Sequence, residues 1–242
     1  MNKISKLFKR AIFEISNSKI ILKDEFIDWL VLGNAGMFDK THLYCIDYAM
    51  KNLPSNAPVI EIGSFCGLST NILLYYKMLH GRDNQIITCD KWIFEGAGSN
   101  ESLGKTSISF NDYRNYIKES FIRNIQTFSS AGLPFTIELF SDEFFTRWNT
   151  QSVETDVFGN EITLGGKISF AFIDGNHSYE YAKRDFENCD RYLEKGGFLL
   201  FDDSSDWSDF GVNKVVKQIC RDRRYKLIKK NPNYFFQKIS DQ

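Results

Sequence analysis

The stretch VIEIGSFCGLST, residues 59–70, decides the fold of this chain. The first four residues, VIEI, are mostly β-branched and are followed by Gly63. This short run predicts a buried parallel strand. The following run LSTNILLYYKMLH is apolar on most faces and predicts a buried helix that ends near Gly81. The loop from Gly63 to Gly67 therefore joins a strand to the amino end of a helix, which is where open α/β sheets bind ligands.

The two glycines of this loop favour a ligand that approaches the backbone closely, because glycine has no side chain in the way. The spacing argues against a dinucleotide-binding loop, which has three glycines in the pattern G-x-G-x-x-G. Phe65 and Leu68 stand where that pattern needs its second and third glycine. The role of Glu61 stays open at this point, because a lone acid near a strand end can also be a capping residue.

Further segments repeat the arrangement of an apolar strand that ends in a polar side chain. QIITCDKW leads to Asp90, 23 residues after Gly67, near the offset at which nucleotide-binding α/β folds place a ribose-binding acid. The others are FTIELF, which leads to Ser141 and Asp142, ISFAFID, which ends in Asp174, and GGFLLFDD, which ends in Asp202 and Asp203. Side chains at the carboxyl ends of parallel strands should line one ligand cleft. The terminal segments YKLIKK and YFFQKI, separated by Asn-Pro-Asn, are typical of a hairpin.

The composition favours one large domain that acts on small molecules. The 242 residues are 43% hydrophobic and carry 30 basic and 31 acidic side chains, for a net charge of −1. Such a chain has no overall attraction to nucleic acid or to an anionic membrane. Its five scattered cysteines form no C-x-x-C pair, which favours reduced thiols and a cytoplasmic location over disulfides or structural zinc.

The amino-terminal sequence MNKISKLFKRAIFEI predicts an amphipathic helix. Basic residues interrupt its apolar positions, which excludes a signal peptide, and no stretch has the roughly 18 apolar residues of a membrane span. We expect the helix to dock on its own domain or on the partner in a homodimer; contact with a membrane surface is the alternative. Helical spacing continues to residue 53, before a proline-containing break. The predicted division is a helical cap at 1–53 and a main domain at 54–242.

The pattern E-x-G-x-x-x-G-x-S-T, the acid after the second strand and the terminal hairpin together resemble the class I S-adenosylmethionine-dependent methyltransferases. The resemblance implies an α/β, Rossmann-like, seven-stranded, mostly parallel sheet with helices on both faces, an antiparallel last strand and an N-terminal helical cap. It also implies that S-adenosyl-L-methionine binds along the strand ends. The residues expected to contact it are Glu61, Gly63, Ser64, Gly67, Ser69, Thr70, Asp90, Ser141, Asp142 and Asp174.

Asp174, Asp202 and Asp203 should meet at the cleft, because their strands are neighbours in this fold. Three adjacent carboxylates repel one another unless a cation or hydrogen bonds compensate, and oxygen ligands favour Mg²⁺. The stretch resembles the metal-dependent O-methyltransferases of the catechol and macrolide-sugar types, which implies a magnesium site at these three residues. Asp203 departs from the asparagine that is frequent in the catechol type. The alternative is that the acids cap helices or bind the cofactor without metal.

His177 lies three residues after Asp174 and should face the same cleft. The catechol type has a lysine at this offset as its general base, and the resemblance implies a catalytic role for His177 beside Asp174. Imidazole titrates near neutrality, which suits a base. The alternative is a histidine that caps the following helix. His42 and His80 have no comparable setting in the sequence.

The resemblance thus implies magnesium-assisted O-methylation of a small acceptor that carries a diol, such as a sugar or a phenolic metabolite. A metal-independent O- or N-methyltransferase and a noncatalytic cofactor-binding module stay open as alternatives. Two insertions interrupt the pattern, near 91–130 and near 149–167, and we expect the first to cap the acceptor. The second contains a Gly159-Asn160 turn that is compatible with a small hairpin, although we favour a solvated loop or a dimer contact.

Overall fold

A seven-stranded sheet forms the centre of the computed structural model, which describes residues 3–16, 19–93 and 102–241. Its strands are β1 (Val59–Ile62), β2 (Ile86–Cys89), β3 (Phe135–Ile137), β6 (Ile168–Ile173), β7 (Leu193–Phe201), β8 (Tyr225–Lys230) and β9 (Tyr234–Lys238). A separate two-stranded sheet consists of β4 (Val153–Thr155) and β5 (Glu161–Thr163). The helices are α1 (Lys3–Ser16), α2 (Glu25–Gly33), α3 (His42–Lys51), α4 (Leu68–Leu79), α5 (Phe110–Phe128), α6 (Ser141–Asn149), α7 (Tyr179–Tyr192) and α8 (Val212–Ile219).

The strand order of the large sheet is β3-β2-β1-β6-β7-β9-β8. Strands β3, β2, β1, β6 and β7 pair in parallel, whereas β9 is antiparallel to both β7 and β8. The order reverses direction beside β1, which creates the crevice where open sheets bind ligands. The predicted Rossmann-like sheet with its antiparallel end is therefore confirmed.

The register of the central strands aligns their carboxyl ends. Ile62 at the end of β1 pairs with Cys89 of β2 on one side and with Ile173 of β6 on the other. Ile173 in turn pairs with Phe201, the last residue of β7. The residues that follow these strands, which the sequence analysis named as site candidates, therefore lie side by side at one edge of the sheet. The sheet thus brings together parts of the chain more than 100 residues apart.

Helices cover both faces of the sheet because each central strand is apolar on both sides. On one face, Ile60 and Ile62 join a core with α6, α7 and α8; on the other, Val59 joins a core with α2, α3 and α4. A third cluster packs α5 beneath the loop that follows β1. The helical segments before residue 54 therefore share a core with the sheet, and the predicted division at residue 53 stays a prediction.

Contacts of helix α1 with the rest of the protein include those of Phe13 and Lys6. Phe13 is buried and packs edge-to-face on Trp207, with 5.4 Å between ring centroids, and Lys6 forms an ion pair with Asp209. Leu7 and Phe8 are about two-thirds exposed. Across the described ranges, no helix combines the length and apolarity that crossing a membrane requires.

The two insertions have different structures. The first supplies α5, whose Ile117, Phe121 and Ile125 are buried, while residues 94–101 of its predicted cap lie outside the described residues. The second forms the β4-β5 hairpin, so the solvated loop that we favoured is wrong. Asp156 explains the difference, because its buried carboxylate accepts hydrogen bonds from the backbone N–H groups of Phe158 and Asn160 and so holds the turn.

Candidate functional site

A cavity of about 1080 Å³ opens at the carboxyl ends of the parallel strands. One part of its wall, the glycine-loop end, comprises residues 63–65, Leu68 and Ser69, Asp90 to Ile93 and the start of α6. The other part, the aspartate end, comprises Asp174, His177, Asp202 and Asp203, together with residues of the amino-terminal segments. One continuous cavity joins the two ends, as a reaction between two ligands requires.

At two positions, the loop after β1 has a backbone conformation that only glycine adopts easily. Gly63 has φ +83°, and a Cβ there would stand 2.1 Å from the carbonyl oxygen of Asp174. Gly67 has φ +85° at the start of α4, and its Cβ would meet the side chains of Phe121 and Ile125 at 3.1 Å. Gly63 therefore lets the glycine loop lie directly against the end of β6.

Asp90 ties the glycine loop to the end of β2. Its Oδ2 accepts hydrogen bonds from the backbone N–H groups of Ser64 and Phe65, at 2.8 and 2.9 Å, and its Oδ1 accepts one from Trp92 at 2.6 Å. Burial raises the pKa of Asp90, and these backbone N–H groups oppose the rise. A carboxylate offers about four lone pairs, so Asp90 keeps acceptor capacity for a ligand hydroxyl.

Glu61 lies beneath the loop and not on the cavity wall. It is fully buried, and its Oε2 accepts a hydrogen bond of 2.5 Å from Thr70 in α4. Its Oε1 has no partner within the described ranges, and burial raises the pKa of Glu61 to about 7. The neighbouring Ser64 hydroxyl, by contrast, belongs to a residue of the cavity wall and is likewise without a hydrogen-bond partner there.

The carboxylates of the aspartate end converge as the strand register predicts. Backbone hydrogen bonds from Asp174 to Ile62 and from Asp202 to Ile173 extend the ladder past the strands. Burial, together with the Asp202 carboxylate, raises the pKa of Asp174 well above its usual value. Burial and Asp202 likewise raise the pKa of Asp203, whose backbone has φ +48°. The acids therefore repel one another, and positive charge brought among them would be stabilised.

His177 lies between two of these acids. Its Nε2 is 3.9 Å from Asp174 Oδ1 and 3.7 Å from Asp203 Oδ2, and about a quarter of its side chain is exposed. Its ring packs on Phe210 with 4.9 Å between centroids. The helix-capping alternative has no support here, because α7 begins at Tyr179 with Ser178 as its N-cap. An imidazole held beside two carboxylates can take up a proton that a ligand releases.

His42, which the sequence gave no role, lies against Asp202. It is buried at the start of α3, and its Nε2 is 3.3 Å from Asp202 Oδ1. Asn233 donates hydrogen bonds from Nδ2 to Asp202 Oδ1 at 3.1 Å and to His42 Nε2 at 2.7 Å. These partners fix the orientation of the Asp202 carboxylate. No local motif marks them, since His42 is 160 residues from Asp202 in the chain.

The start of α6 closes the glycine-loop end. Ser141 and Asp142 lie on the cavity wall, but the Asp142 carboxylate forms a 2.7 Å ion pair with Arg184 of α7. Asp185, which the sequence did not single out, is a buried residue of the same wall. Burial raises its pKa to about 7, opposed by a hydrogen bond with Ser141. Its only sequence signal is an acid on the inner side of an amphipathic helix.

Most of the predicted site residues line the one cavity. On its wall are Gly63, Ser64, Ser69, Asp90, Ser141, Asp142, Asp174, His177, Asp202 and Asp203. Behind it are Glu61, Gly67 and Thr70, which shape the loop from below. In the part of the chain that the structure describes, no three acid, histidine or cysteine side chains are arranged to hold a metal ion.

The amino-acid sequence matches a protein-family model described as a methyltransferase domain, over residues 60–204. The match runs from β1 to the loop after β7 and so includes every strand end at the cavity. The sequence is also 28% identical, over 165 residues, to an uncharacterized protein of Acanthamoeba polyphaga mimivirus. That alignment covers 66% of this chain and 59% of the viral protein, so the chain spans less than two-thirds of that relative.

Solved structures share the fold at low sequence identity. An O-methyltransferase from Bacillus cereus, solved in complex with SAH, is 12% identical with a TM-score of 0.57 over 97% of each chain. A TDP-rhamnose 3′-O-methyltransferase of calicheamicin biosynthesis is 16% identical with a TM-score of 0.51, over 98% of this chain and 95% of that one. These likenesses establish a common class I methyltransferase fold.

Proposed function

Since this chain belongs to the methyltransferase-domain family, we propose that it transfers the methyl group of S-adenosyl-L-methionine to a hydroxyl of a small, diol-bearing acceptor. The observation that carries the proposal is the single cavity that joins the glycine loop, held by Asp90, to His177 among three aspartates. The glycine-loop end suits a nucleoside, and the aspartate end suits an acceptor hydroxyl that must lose a proton. A sugar and a phenolic metabolite are the acceptor classes we favour.

The glycine-loop end suits the cofactor in shape and in polar groups. The conformation at Gly63 exposes backbone close to the cavity, and Ser64 offers a hydroxyl without a protein partner among the described residues. Asp90 retains lone pairs for ribose hydroxyls. Ser141, Asp142 and Asp185 lie where the adenine edge would face the start of α6. We propose that the adenosyl group occupies this end and that its sulfonium points toward Asp174.

His177 is the group that we propose as general base. An aliphatic hydroxyl does not ionise unaided near neutral pH, so a neighbouring base must accept its proton as the oxygen attacks the methyl group. The imidazole Nε2 lies within 4 Å of the carboxylates of Asp174 and Asp203, so the proposed base faces the acceptor region of the cavity. The chain's other task is alignment, because methyl transfer proceeds in line between two bound molecules.

A more specific part of the proposal is that Mg²⁺ binds at the three aspartates. The donor chemistry of Asp174, Asp202 and Asp203 suits a hard cation. Burial and the neighbouring Asp202 raise the pKa of Asp174 and Asp203, and a bound cation would offset that repulsion. A bound ion there would lower the pKa of an acceptor hydroxyl. The described side chains do not form a complete ligand set as they stand.

Metal-independent transfer is the second candidate function, and a specific contact favours it. The Asp202 carboxylate already accepts a hydrogen bond from Asn233, which stabilises it without metal, and His42 packs beside it. His177 would then act alone as the base. A noncatalytic role for the cavity is the remaining alternative.

One assay separates these readings. Transfer of a labelled methyl group to catechol and to nucleotide-activated sugars is measured with Mg²⁺ and after exhaustive chelation. Activity only with Mg²⁺ supports the metal-assisted reaction, and activity unchanged by chelation supports the metal-independent one. Cofactor binding without any transfer, across a broad acceptor panel, would favour the binding module instead.

Two further proposals concern the surroundings of the site. A homodimer is supported by the exposed apolar side chains of Leu7 and Phe8 on α1, which a second subunit would cover. A cytoplasmic location is supported by five free cysteines, of which four are buried. Sedimentation of the purified protein and fractionation of expressing cells measure the two directly.

A further inference from the structure

Two cations of the amino-terminal segments line the aspartate end of the cavity. Arg10 of α1 and Lys19, which precedes α2, both belong to its wall. They share a single acidic partner within the described residues, Glu14, whose Oε1 is 3.2 Å from Arg10 and 3.5 Å from Lys19. Two positive charges therefore face one negative charge, and the excess lies at the cavity.

The position of Arg10 is fixed by the docking of α1. Phe13, almost one helical turn further, packs on Trp207, and Lys6 pairs with Asp209. Both partners belong to the loop that follows Asp202 and Asp203, and Trp207 itself lies on the cavity wall. The helix is thus attached to the same loop that carries the acidic pair, which places Arg10 beside the acceptor region.

Lys19 is fixed by a separate anchor. Its neighbour Ile20 donates its backbone N–H to Asn231 Oδ1 at 2.9 Å and accepts from Asn231 Nδ2 at 2.7 Å. Two residues on, Asn233 holds the Asp202 carboxylate. The backbone that carries Lys19 is therefore hydrogen-bonded to the turn that orients the aspartate end.

The surrounding acids do not use these cations. Asp202 is bound by His42 and Asn233, and Asp203 faces His177. Asp39, on the same wall, accepts a hydrogen bond from the backbone N–H of Thr41. The Arg10 hydrogen bond and the Lys19 charge hold the pKa of Glu14 below its usual range, and Glu14 lies on the exposed surface of α1. One exposed carboxylate leaves donors of both cations available to a ligand.

We propose that the methyl acceptor carries an anionic group, a phosphate or a carboxylate, and that Arg10 and Lys19 bind this group while its diol lies among the aspartates. The inference rests on the proposed function, because it concerns the acceptor of that same site. Arg10 presents a planar set of N–H donors that matches both kinds of anion, and Lys19 adds a point charge. The ring of Trp207 offers a flat face for the body of the same molecule.

The test is calorimetric titration of the full chain loaded with S-adenosylhomocysteine, in the presence of chelator. The probes are inorganic pyrophosphate, thymidine diphosphate, D-glucuronate and, as the uncharged control, D-glucose. Chelator is included so that an ion held by the aspartates cannot bind the phosphate probes. We expect at least one anionic probe to bind, and its affinity to fall with added salt because both cations are partly exposed.

Arg10→Gln and Lys19→Gln should each weaken that probe at least about tenfold, while Lys19→Arg should retain most of the affinity. The matched controls are Lys3→Gln and Lys23→Gln, which remove exposed charges of the same segments that are not on the cavity wall. Stronger binding of the two phosphate probes assigns a phosphate, and stronger binding of glucuronate assigns a carboxylate.

Absence of binding by all three anionic probes, or equal losses in the control variants, would overturn the inference. A separate titration of S-adenosylhomocysteine into the unloaded chain measures the affinity for the nucleoside. A protein that binds this nucleoside but no anion contradicts the anionic acceptor alone, whereas one that fails to bind the nucleoside contradicts the proposed function itself.

Discussion

The glycine-loop end and the aspartate end of the cavity differ in how their acidic side chains are stabilised. Asp90 accepts three backbone hydrogen bonds from residues within 26 positions of it in the chain. Asp174 and Asp203 lie among like charges, and the contacts that stabilise the aspartate end come from distant segments. The first end is therefore preorganised by local structure. The acids of the second end are left electrostatically unbalanced, which suits them to a reaction that releases a proton among them.

The largest effect is expected where the two ends touch, at Gly63. In Gly63→Ala the new Cβ would collide with the Asp174 carbonyl oxygen, now 2.1 Å away, and would strain a left-handed backbone. We expect a loss of about 2–5 kcal/mol in the free energy of unfolding, together with loss of cofactor binding. Denaturant unfolding measures the first and calorimetry the second. Gly132→Ala is the matched control, since a Cβ there meets nothing within 4 Å; equal behaviour of the two variants would show that the ends are not in contact.

His177→Ala should break the aspartate end alone. We expect the maximal rate to fall roughly 10²–10⁴-fold, the usual contribution of a general base, with the affinity for S-adenosylhomocysteine unchanged. Activity should recover partly as pH rises, because hydroxide replaces a missing base. Steady-state rates across pH measure this. His80→Ala, which removes a histidine paired with Asp47 away from the cavity, is the control. A full-rate His177→Ala enzyme would return that histidine to a structural role.

Asp90→Ala should break the glycine-loop end alone. Removing the carboxylate frees the N–H groups of Ser64, Phe65 and Trp92 and takes away the proposed ribose acceptor. We expect the affinity for S-adenosylhomocysteine to drop by about 1.5–3 kcal/mol, the range for hydrogen bonds to a charged group. Asp83→Ala, a surface carboxylate near β2, serves as the control. Unchanged affinity in Asp90→Ala would place the nucleoside elsewhere.

The smallest effect concerns Glu61, which lies under the loop and not on the cavity wall. Its pKa in the folded protein is raised from 4.5 to about 7 by burial, so it binds a proton in the folded state that the unfolded chain has lost. Its contribution to stability is therefore fully present below pH 4.5 and is lost as pH rises to about 7. Glu61→Gln should remove this slope, a change of about 1–3 kcal/mol across the window.

Unfolding by denaturant at pH 4.5, 6 and 7.5 measures the difference between wild type and Glu61→Gln. Glu119→Gln, at an exposed position of α5, controls for the loss of a carboxyl as such. A wild-type slope that persists in Glu61→Gln would assign the pH dependence to another group, of which Asp185 has a pKa raised in the same direction.

The same contrast explains which features were readable from the sequence. Strands, glycine loop and terminal hairpin are encoded in short apolar runs and their turn residues. All seven strands of the large sheet, β1, β2, β3, β6, β7, β8 and β9, were therefore predicted from local patterns. The acids at the strand ends followed from the parallel order of the sheet. The β4-β5 hairpin was misjudged, because a single buried Asp156 holds its turn and no periodicity reveals that burial.

The rest of the aspartate end could not be predicted, because its members come from distant segments of the chain. His42, Arg10 and Lys19 precede Asp202 by more than 150 residues, and only tertiary packing brings them to the cavity. Arg10 belongs to an amphipathic helix whose basic residues share the face away from its apolar positions. The sequence of that face does not distinguish Arg10 from the neighbouring basic residues. The distinction comes from the packing of Phe13 on Trp207, which sets how the helix docks.

A crystal structure with S-adenosylhomocysteine bound tests the central claim most directly. The account predicts the ribose hydroxyls within hydrogen-bond distance of Asp90, the amino-acid moiety along residues 63–69, and the sulfur directed toward Asp174 and His177. A nucleoside bound outside this cavity, or one whose sulfur faces away from the aspartate end, would contradict it.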